Sequence, residues 1–104
     1  MPRKRDIPPV PPGRLLAEEF MRPSKLSQYR LAKGTGLSPI QVSLIVRGKR
    51  AITAETALRL GRFFGMSAAF WLNAQAHYDL ACAAPKLARA LDRDVKPLAD
   101  YVRA

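Results

Sequence analysis

With 104 residues the chain has the length of one ordinary domain, enough for a single core and too short for two independent ones. Its 18 Lys and Arg against 8 Asp and Glu leave a formal charge of +10, and residues 1–50 hold 11 of the basic and 3 of the acidic side chains, so the N-terminal half is expected to face a polyanion. Cys82 is the only cysteine, which excludes an intramolecular disulfide and a disulfide-stapled scaffold, while the absence of a long apolar run or signal-peptide core points to cytoplasm or nucleoid.

Residues 1–12 contain five prolines, at positions 2, 8, 9, 11 and 12, and proline lacks the amide donor and restrains its predecessor, so a flexible proline-rich arm is expected. GRLLAEEFM, residues 13–21, predicts a first helix with Leu15, Leu16, Ala17 and Phe20 on its apolar stripe and Pro23 as its stop. Ser27 can cap a second helix over 28–34, with Leu31 and Ala32 inward and Gly34 or Gly36 at the positive backbone angle that ends it. Ser38 followed by Pro39 pairs a side-chain cap with a residue already shaped for the first helical position, starting a third helix that runs to about Arg47. Val42, Ile45 and Val46 are its core candidates, and Gly48 ends it. Thr53 caps a fourth helix over 54–64, whose apolar positions 54, 57, 58, 61 and 64 come close to the period of a buried face. Ser67 caps a fifth that reaches about Ala83, and Pro85 is expected to divide it from a tail. In that tail Leu87, Leu91, Val95, Leu98 and Val102 would share one helical stripe if Pro97 did not intervene. The fold class is therefore all-α, five compact helices over 13–84 with a C-terminal extension over 85–104 that can supply a short helix at a dimer or partner interface.

The stretch LSQYRLAKGTGLSPIQVSLIVRGKR, residues 26–50, reads as two short helices joined by a glycine-containing turn and closed by cations, the outline of a helix-turn-helix. Eight helical residues span roughly 12 Å, comparable with the width of the major groove. Val42, Ile45 and Val46 can anchor the third helix, leaving Pro39, Ile40, Gln41 and Ser43 as candidate base-reading residues. Gln41 and Ser43 carry hydrogen-bonding groups suited to base edges or phosphates, and Ile40 can pack on a thymine methyl. Gln28, at the start of the second helix, can join free backbone N–H groups on one phosphate. Arg47, Lys49 and Arg50 place phosphate-directed charge at the far end, with Arg30 and Lys33 as additions. These cations orient the duplex; none is a central arginine aimed at guanine, so no operator is legible.

This segment resembles the helix-turn-helix of phage-repressor-like (XRE/Cro-type) regulators, and the longer run GKRAITAETALRLGRFFGMSAAFWLNAQAHYDLACA is similar to the HigA family of antitoxins. The resemblance extends from PPGRLLAEEF to about Ala84. It implies a compact repressor-like domain in a homodimeric antitoxin. Such a protein binds an inverted repeat in operator DNA, represses its own operon and neutralises a small ribosome-dependent mRNA interferase toxin. By motif position Gln28 matches the family's phosphate-contacting glutamine, Pro39, Ile40, Gln41 and Ser43 its exposed recognition positions, and Arg47 its polar phosphate-facing end. Trp71, Leu72 and Tyr78 match packing residues of the family. At Pro11 to Arg14 the chain reads PPGR where the family often has HPGE, so Arg14 stands in place of a first-turn acid.

No catalytic constellation accompanies these features. His77, Asp79 and Cys82 lie close in sequence but lack the paired Cys or His spacing of a zinc motif, Glu18 and Glu19 are adjacent rather than set across a cleft, and no glycine loop cradles phosphate. No metal, cofactor, enzyme activity or membrane contact is expected. The competing readings are a stand-alone transcriptional repressor with no toxin partner and an interaction bundle without DNA affinity.

Overall fold

In the computed structural model, which describes residues 8–103, the chain opens as an α-helix over Pro12–Leu15 that continues as a π-helix over Leu16–Met21. These two stretches form α1. They are followed by α2 (Gln28–Thr35), α3 (Pro39–Val46), α4 (Ala54–Phe64), α5 (Ala68–Asp94) and α6 (Leu98–Arg103). The expected all-α class is what the described residues contain, five helices and a short C-terminal sixth. Of the proline-rich arm, residues 1–7 lie outside the described residues, and Pro12 is not arm at all: it is buried at the first position of α1. A missing N–H costs nothing there and the fixed φ suits a helix start.

The caps read from the sequence are made. Ser27 Oγ accepts from the Arg30 N–H at 3.1 Å, Thr53 Oγ1 from the Thr56 N–H at 3.3 Å, and Ser67 Oγ from the Ala69 N–H at 3.1 Å. Each satisfies an amide that the helix itself leaves unpaired. Gly36, not Gly34, takes the left-handed angle after α2, with φ 78°, and its N–H returns to the Ala32 carbonyl at 2.9 Å. Arg59 of α4 then donates Nη1 to the Thr35 carbonyl at 3.0 Å and Nε to Glu55 at 3.1 Å, tying α4 to the C-terminal end of α2.

Leu16, Leu31, Val42, Ile45, Leu60 and Trp71 are the largest fully buried side chains, contributed by all five main helices. Phe20 and Phe64 pack around Trp71 with ring centroids 5.0 and 6.3 Å from it. The sequence spacing misplaced two positions: Ala54 is exposed and Leu58 is 64% exposed, whereas Leu60 is at the core with no exposure. With successive residues turned by about 100°, Ala57, Leu60, Gly61 and Phe64 share one face and Leu58 falls outside it. Gly13 lets α1 cross α3 at backbone distance, since a Cβ at that position would be driven into the Ile45 carbonyl.

The second departure is Pro85. The fifth helix, expected to stop near Ala83, runs on to Asp94 with Pro85 inside it. Pro85 removes the hydrogen bond to the carbonyl four residues back, but Ala81 is exposed there and water can take its place. The following KLARALD is built of strong helix formers. Pro97 does interrupt the tail, and α6 starts directly after it. At about 1.5 Å per residue α5 extends well past the bundle. The radius of gyration is accordingly 17.9 Å, against about 13 Å for a compact chain of some 100 residues.

Candidate nucleic-acid interface

The helix-turn-helix face is built from three pieces: the N-terminus of α2, the outer side of α3 and the loop 47–53. Gln28 is exposed in the first turn of α2, where only the Arg30 N–H is taken by the Ser27 cap. The Gln28 and Tyr29 amides remain directed outward from the positive end of the helix. Arg30 and Lys33 are exposed on the same helix, Lys33 standing 5.5 Å above the Tyr29 ring.

On α3 the core takes Val42 and Ile45 while Pro39 and Ile40 face solvent, Ile40 with 72% of its surface exposed. An isoleucine held out this far, on a helix anchored by the buried Val42 and Ile45, is an apolar side chain not buried against any of the described residues. Ser43 and Leu44 are half-buried at the edge of the face. Gln41 lies differently from a free reading residue. Its N–H donates to Ser38 Oγ at 3.1 Å, and its side-chain Oε1 accepts from the Ser38 N–H, also at 3.1 Å. Ser38 and Gln41 thus close a capping box, which pairs two orphan amides at once and leaves Gln41 its Nε2 group and the second lone pair of Oε1 to offer outward.

The C-terminal end of α3 is equally well defined. Gly48, with φ 72°, donates its N–H to the Ile45 carbonyl at 3.0 Å and the Lys49 N–H reaches back to the Leu44 carbonyl at 2.8 Å. This pair of bonds is a Schellman motif, and it turns the chain so that Lys49 and Arg50 leave the helix in a fixed direction. Arg47 Nε donates to the Ser43 carbonyl at 3.4 Å, and Arg47, Lys49 and Arg50 are all exposed. None of the three forms an ion pair among the described residues. The cations named from the sequence therefore flank α3 at one end, and Gln28 and Arg30 lie on the preceding helix.

Two contributors escaped the sequence reading. Arg59 is one, through its bond to the end of α2. Gln75 is the other: buried at 9% exposure in α5, it accepts from the Ile52 N–H at 2.7 Å and donates Nε2 to Asp79 Oδ1 at 2.9 Å. Its place four residues after the fully buried Trp71, hence on the same helix face, is the signal that pointed to it. Nearby, hydrogen bonding to Cys82, then the Cys82 charge, burial and the Asp79 charge hold the Tyr78 phenol above its ordinary pKa, so it stays protonated through the neutral range. His77, Asp79 and Cys82 do not converge: among the described residues no group of three or more His, Cys, Asp or Glu is placed to hold a metal ion. Nor is any described helix long and apolar enough to cross a membrane.

Comparison with known proteins agrees with this geometry. A helix-turn-helix family model matches residues 18–71. Virulence-associated protein I of Dichelobacter nodosus is 49% identical over 80 residues, 77% of this chain and 74% of that one. Among solved structures, a HigA-family addiction module antidote protein from Coxiella burnetii superposes with a TM-score of 0.82 at 42% identity, covering 88% of this chain and 99% of that chain. The Pseudomonas aeruginosa antitoxin HigA, solved with the higBA promoter, gives a TM-score of 0.82 at 39% identity, covering 86% of this chain and 98% of that one. The agreement covers most of the chain, and on these grounds the chain belongs to the HigA family of antitoxins, with a helix-turn-helix domain of XRE/Cro type.

Proposed function

We propose that this chain is a DNA-binding antitoxin of a type II toxin-antitoxin system, which represses its own operon and neutralises a ribosome-dependent mRNA interferase toxin by binding it. The observation that carries the DNA half is the outer face of α3: an exposed Ile40 on a helix fixed by a capping box at one end and a Schellman turn carrying cations at the other. In this reading Pro39, Ile40 and Ser43 meet base edges, Ile40 against a thymine methyl, and Gln41 contributes chiefly through its Nε2 group. Gln28, Arg30, Arg47, Lys49 and Arg50 hold the phosphates on either side. Phosphate contacts set orientation and a salt-dependent affinity, and base contacts set the sequence.

The helix-turn-helix domain in this proposal spans residues 13–84, and the extension over 85–104 joins two copies or meets the toxin. Leu80, Leu87 and Leu91 are exposed along α5 at helical spacing, followed by Val95 just past its end and by Leu98, Tyr101 and Val102 of α6. So many apolar side chains on one projecting element favour burial against a second copy. A symmetric dimer would present two α3 helices to half-sites about 34 Å apart, or a multiple of that, in an inverted repeat. The working location is the cytoplasm, on the nucleoid.

Two measurements test the proposal. Footprinting on the DNA upstream of the chain's own gene is expected to give a twofold-symmetric protected site; an asymmetric footprint from a monomer would reject the dimeric repressor. Co-expression with the neighbouring gene product, followed by size-exclusion chromatography and a growth assay, is expected to give a stable complex and rescue of growth. No complex and no rescue would reject the antitoxin role and leave a stand-alone repressor.

A further inference from the structure

Between the Schellman turn at Gly48 and the Thr53 cap of α4, residues 50–52 form no helix and exchange no backbone hydrogen bonds with the rest of the described chain. This short segment carries Arg50 and follows directly on Lys49. Its one inward residue is Ile52, whose side chain is buried in the core and whose N–H is taken by Gln75 Oε1 at 2.7 Å. Gln75 sits 23 positions further on, in α5. A shallow cleft bordered by Pro11, Gly48, Lys49, Arg50, Gln75 and Asp79 marks where the loop meets that helix.

The orientation of the Gln75 amide is determined by its surroundings. Asp79 Oδ1 accepts from Nε2 at 2.9 Å, and the opposite flip would set the amide oxygen against a carboxylate and the NH2 group against the Ile52 N–H. The carboxylate also polarises the amide, which strengthens Oε1 as an acceptor in a buried site. One turn of α5 thus holds the loop through a two-bond chain, Asp79 to Gln75 to Ile52.

We infer that Gln75 is a positioning residue for DNA binding: its buried amide, set by Asp79, fixes the loop that carries Lys49 and Arg50 toward the phosphates. The inference rests on the DNA-binding reading above and assigns that surface a support on α5, outside the helix-turn-helix.

Because phosphate contacts are blind to sequence, the full-length chain and a random-sequence duplex suffice as the test. Gln75→Met is expected to weaken binding about tenfold and to make the salt slope shallower by about one to two. In a Lys49→Ala/Arg50→Ala background the same substitution is expected to have no further effect, which a merely structural role would not produce. The charge-neutral exchange Gln75→Glu with Asp79→Asn restores both bonds with the second reversed, and should bring affinity back to within about twofold. Gln75→Glu alone sets two carboxylates together and should bind weakly. Melting temperature and far-UV circular dichroism are followed throughout; should Gln75→Met fail to fold, the contrast between Gln75→Glu and the exchange decides. A folded Gln75→Met chain with wild-type affinity and slope, equal losses in both backgrounds, or no rescue by the exchange overturns the inference. A wild-type chain that ignores the duplex at low salt removes the DNA-binding reading itself, and this inference with it.

Discussion

Substituting Gln41 by alanine separates two roles that the sequence alone leaves combined. A glutamine that reads adenine does so through both ends of its amide, and a good bidentate contact discriminates by about 1–3 kcal/mol. In the folded chain Oε1 is already occupied by the Ser38 N–H at 3.1 Å. Reading a base with both atoms would make Oε1 share its two lone pairs between the Ser38 N–H and the base, which constrains the geometry and offsets part of the gain. The capping box has two halves, and Gln41→Ala removes only the side-chain half, since the Gln41 N–H still reaches Ser38 Oγ. Losing one half-exposed hydrogen bond of this kind costs about 0.5–1 kcal/mol, and Ser38→Ala, which loses the cap itself, about 0.5–2 kcal/mol. In a domain of this size those figures correspond to falls in melting temperature of about 2–8 °C and 2–16 °C. Gln41→Ala should accordingly lower the melting temperature measurably while weakening binding to operator and random duplex by similar, small factors. Ile40→Ala should do the reverse, leaving stability within about 0.5 kcal/mol, as for an exposed site, and lowering the ratio of specific to random affinity. Thermal unfolding and paired titrations on the two duplexes measure both. A Gln41→Ala chain with unchanged melting temperature and a specific affinity reduced more than tenfold, random binding untouched, would refute the assignment of Gln41 to the cap.

Arg50→Ala should weaken operator and random DNA alike and make the salt slope shallower by about 0.9, the value for one phosphate contact; a sequence-selective loss would instead place Arg50 in a groove. Gly13→Ala forces a methyl group into the Ile45 carbonyl, so α1 and α3 must separate, and urea unfolding should show a loss of about 1–3 kcal/mol or more; no loss would mean the crossing is looser than the structure has it. Pro85→Ala returns a hydrogen-bond donor inside α5 and relieves a residue that costs about 3 kcal/mol in a helix interior, so hydrogen exchange over the residues around Ala81 and Lys86 should slow, and unchanged exchange would argue against a continuous helix there.

Most of the architecture was legible because it is written in local chemistry. Ser27, Ser38, Thr53 and Ser67 each precede a helix start, and the side chain that marks the start is the one that makes the cap bond. Gly36, Gly48 and Gly65 stand where the chain needs a positive φ. Such signals depend on neighbours within a few residues and survive any tertiary arrangement. Leu58 and Pro85 show where this local reading fails. Leu58 belongs to an apolar cluster of the sequence, and only the rotation of α4 against α2 and α5 decides that Leu60 enters the core in its place. Pro85 reads as a break, yet an exposed Ala81 carbonyl and a helix-forming run behind it let α5 pass through.

The interface divides along the same line. Exposed cations after Gly48 can be read from charge and a turn signal, because nothing in the fold has to recruit them. Gln41 could be placed on α3 but not given a task, since a capping box and a base contact ask for the same residue at the third helical position and differ only in where the oxygen points. Gln75 has no local signal beyond its distance from Trp71, and its partner lies 23 positions away. The division has a consequence for specificity in this chain. With Gln41 Oε1 engaged in the cap, the outward face of α3 presents an aliphatic side chain, a proline, a serine hydroxyl and the Gln41 Nε2 group, a surface poor in directional donors. Discrimination then has to come in good part from thymine methyl contacts and from the shape and deformability of the duplex between half-sites. In the proposed dimer, the spacing and rigidity of the two copies would therefore matter to recognition as much as any single side chain on α3.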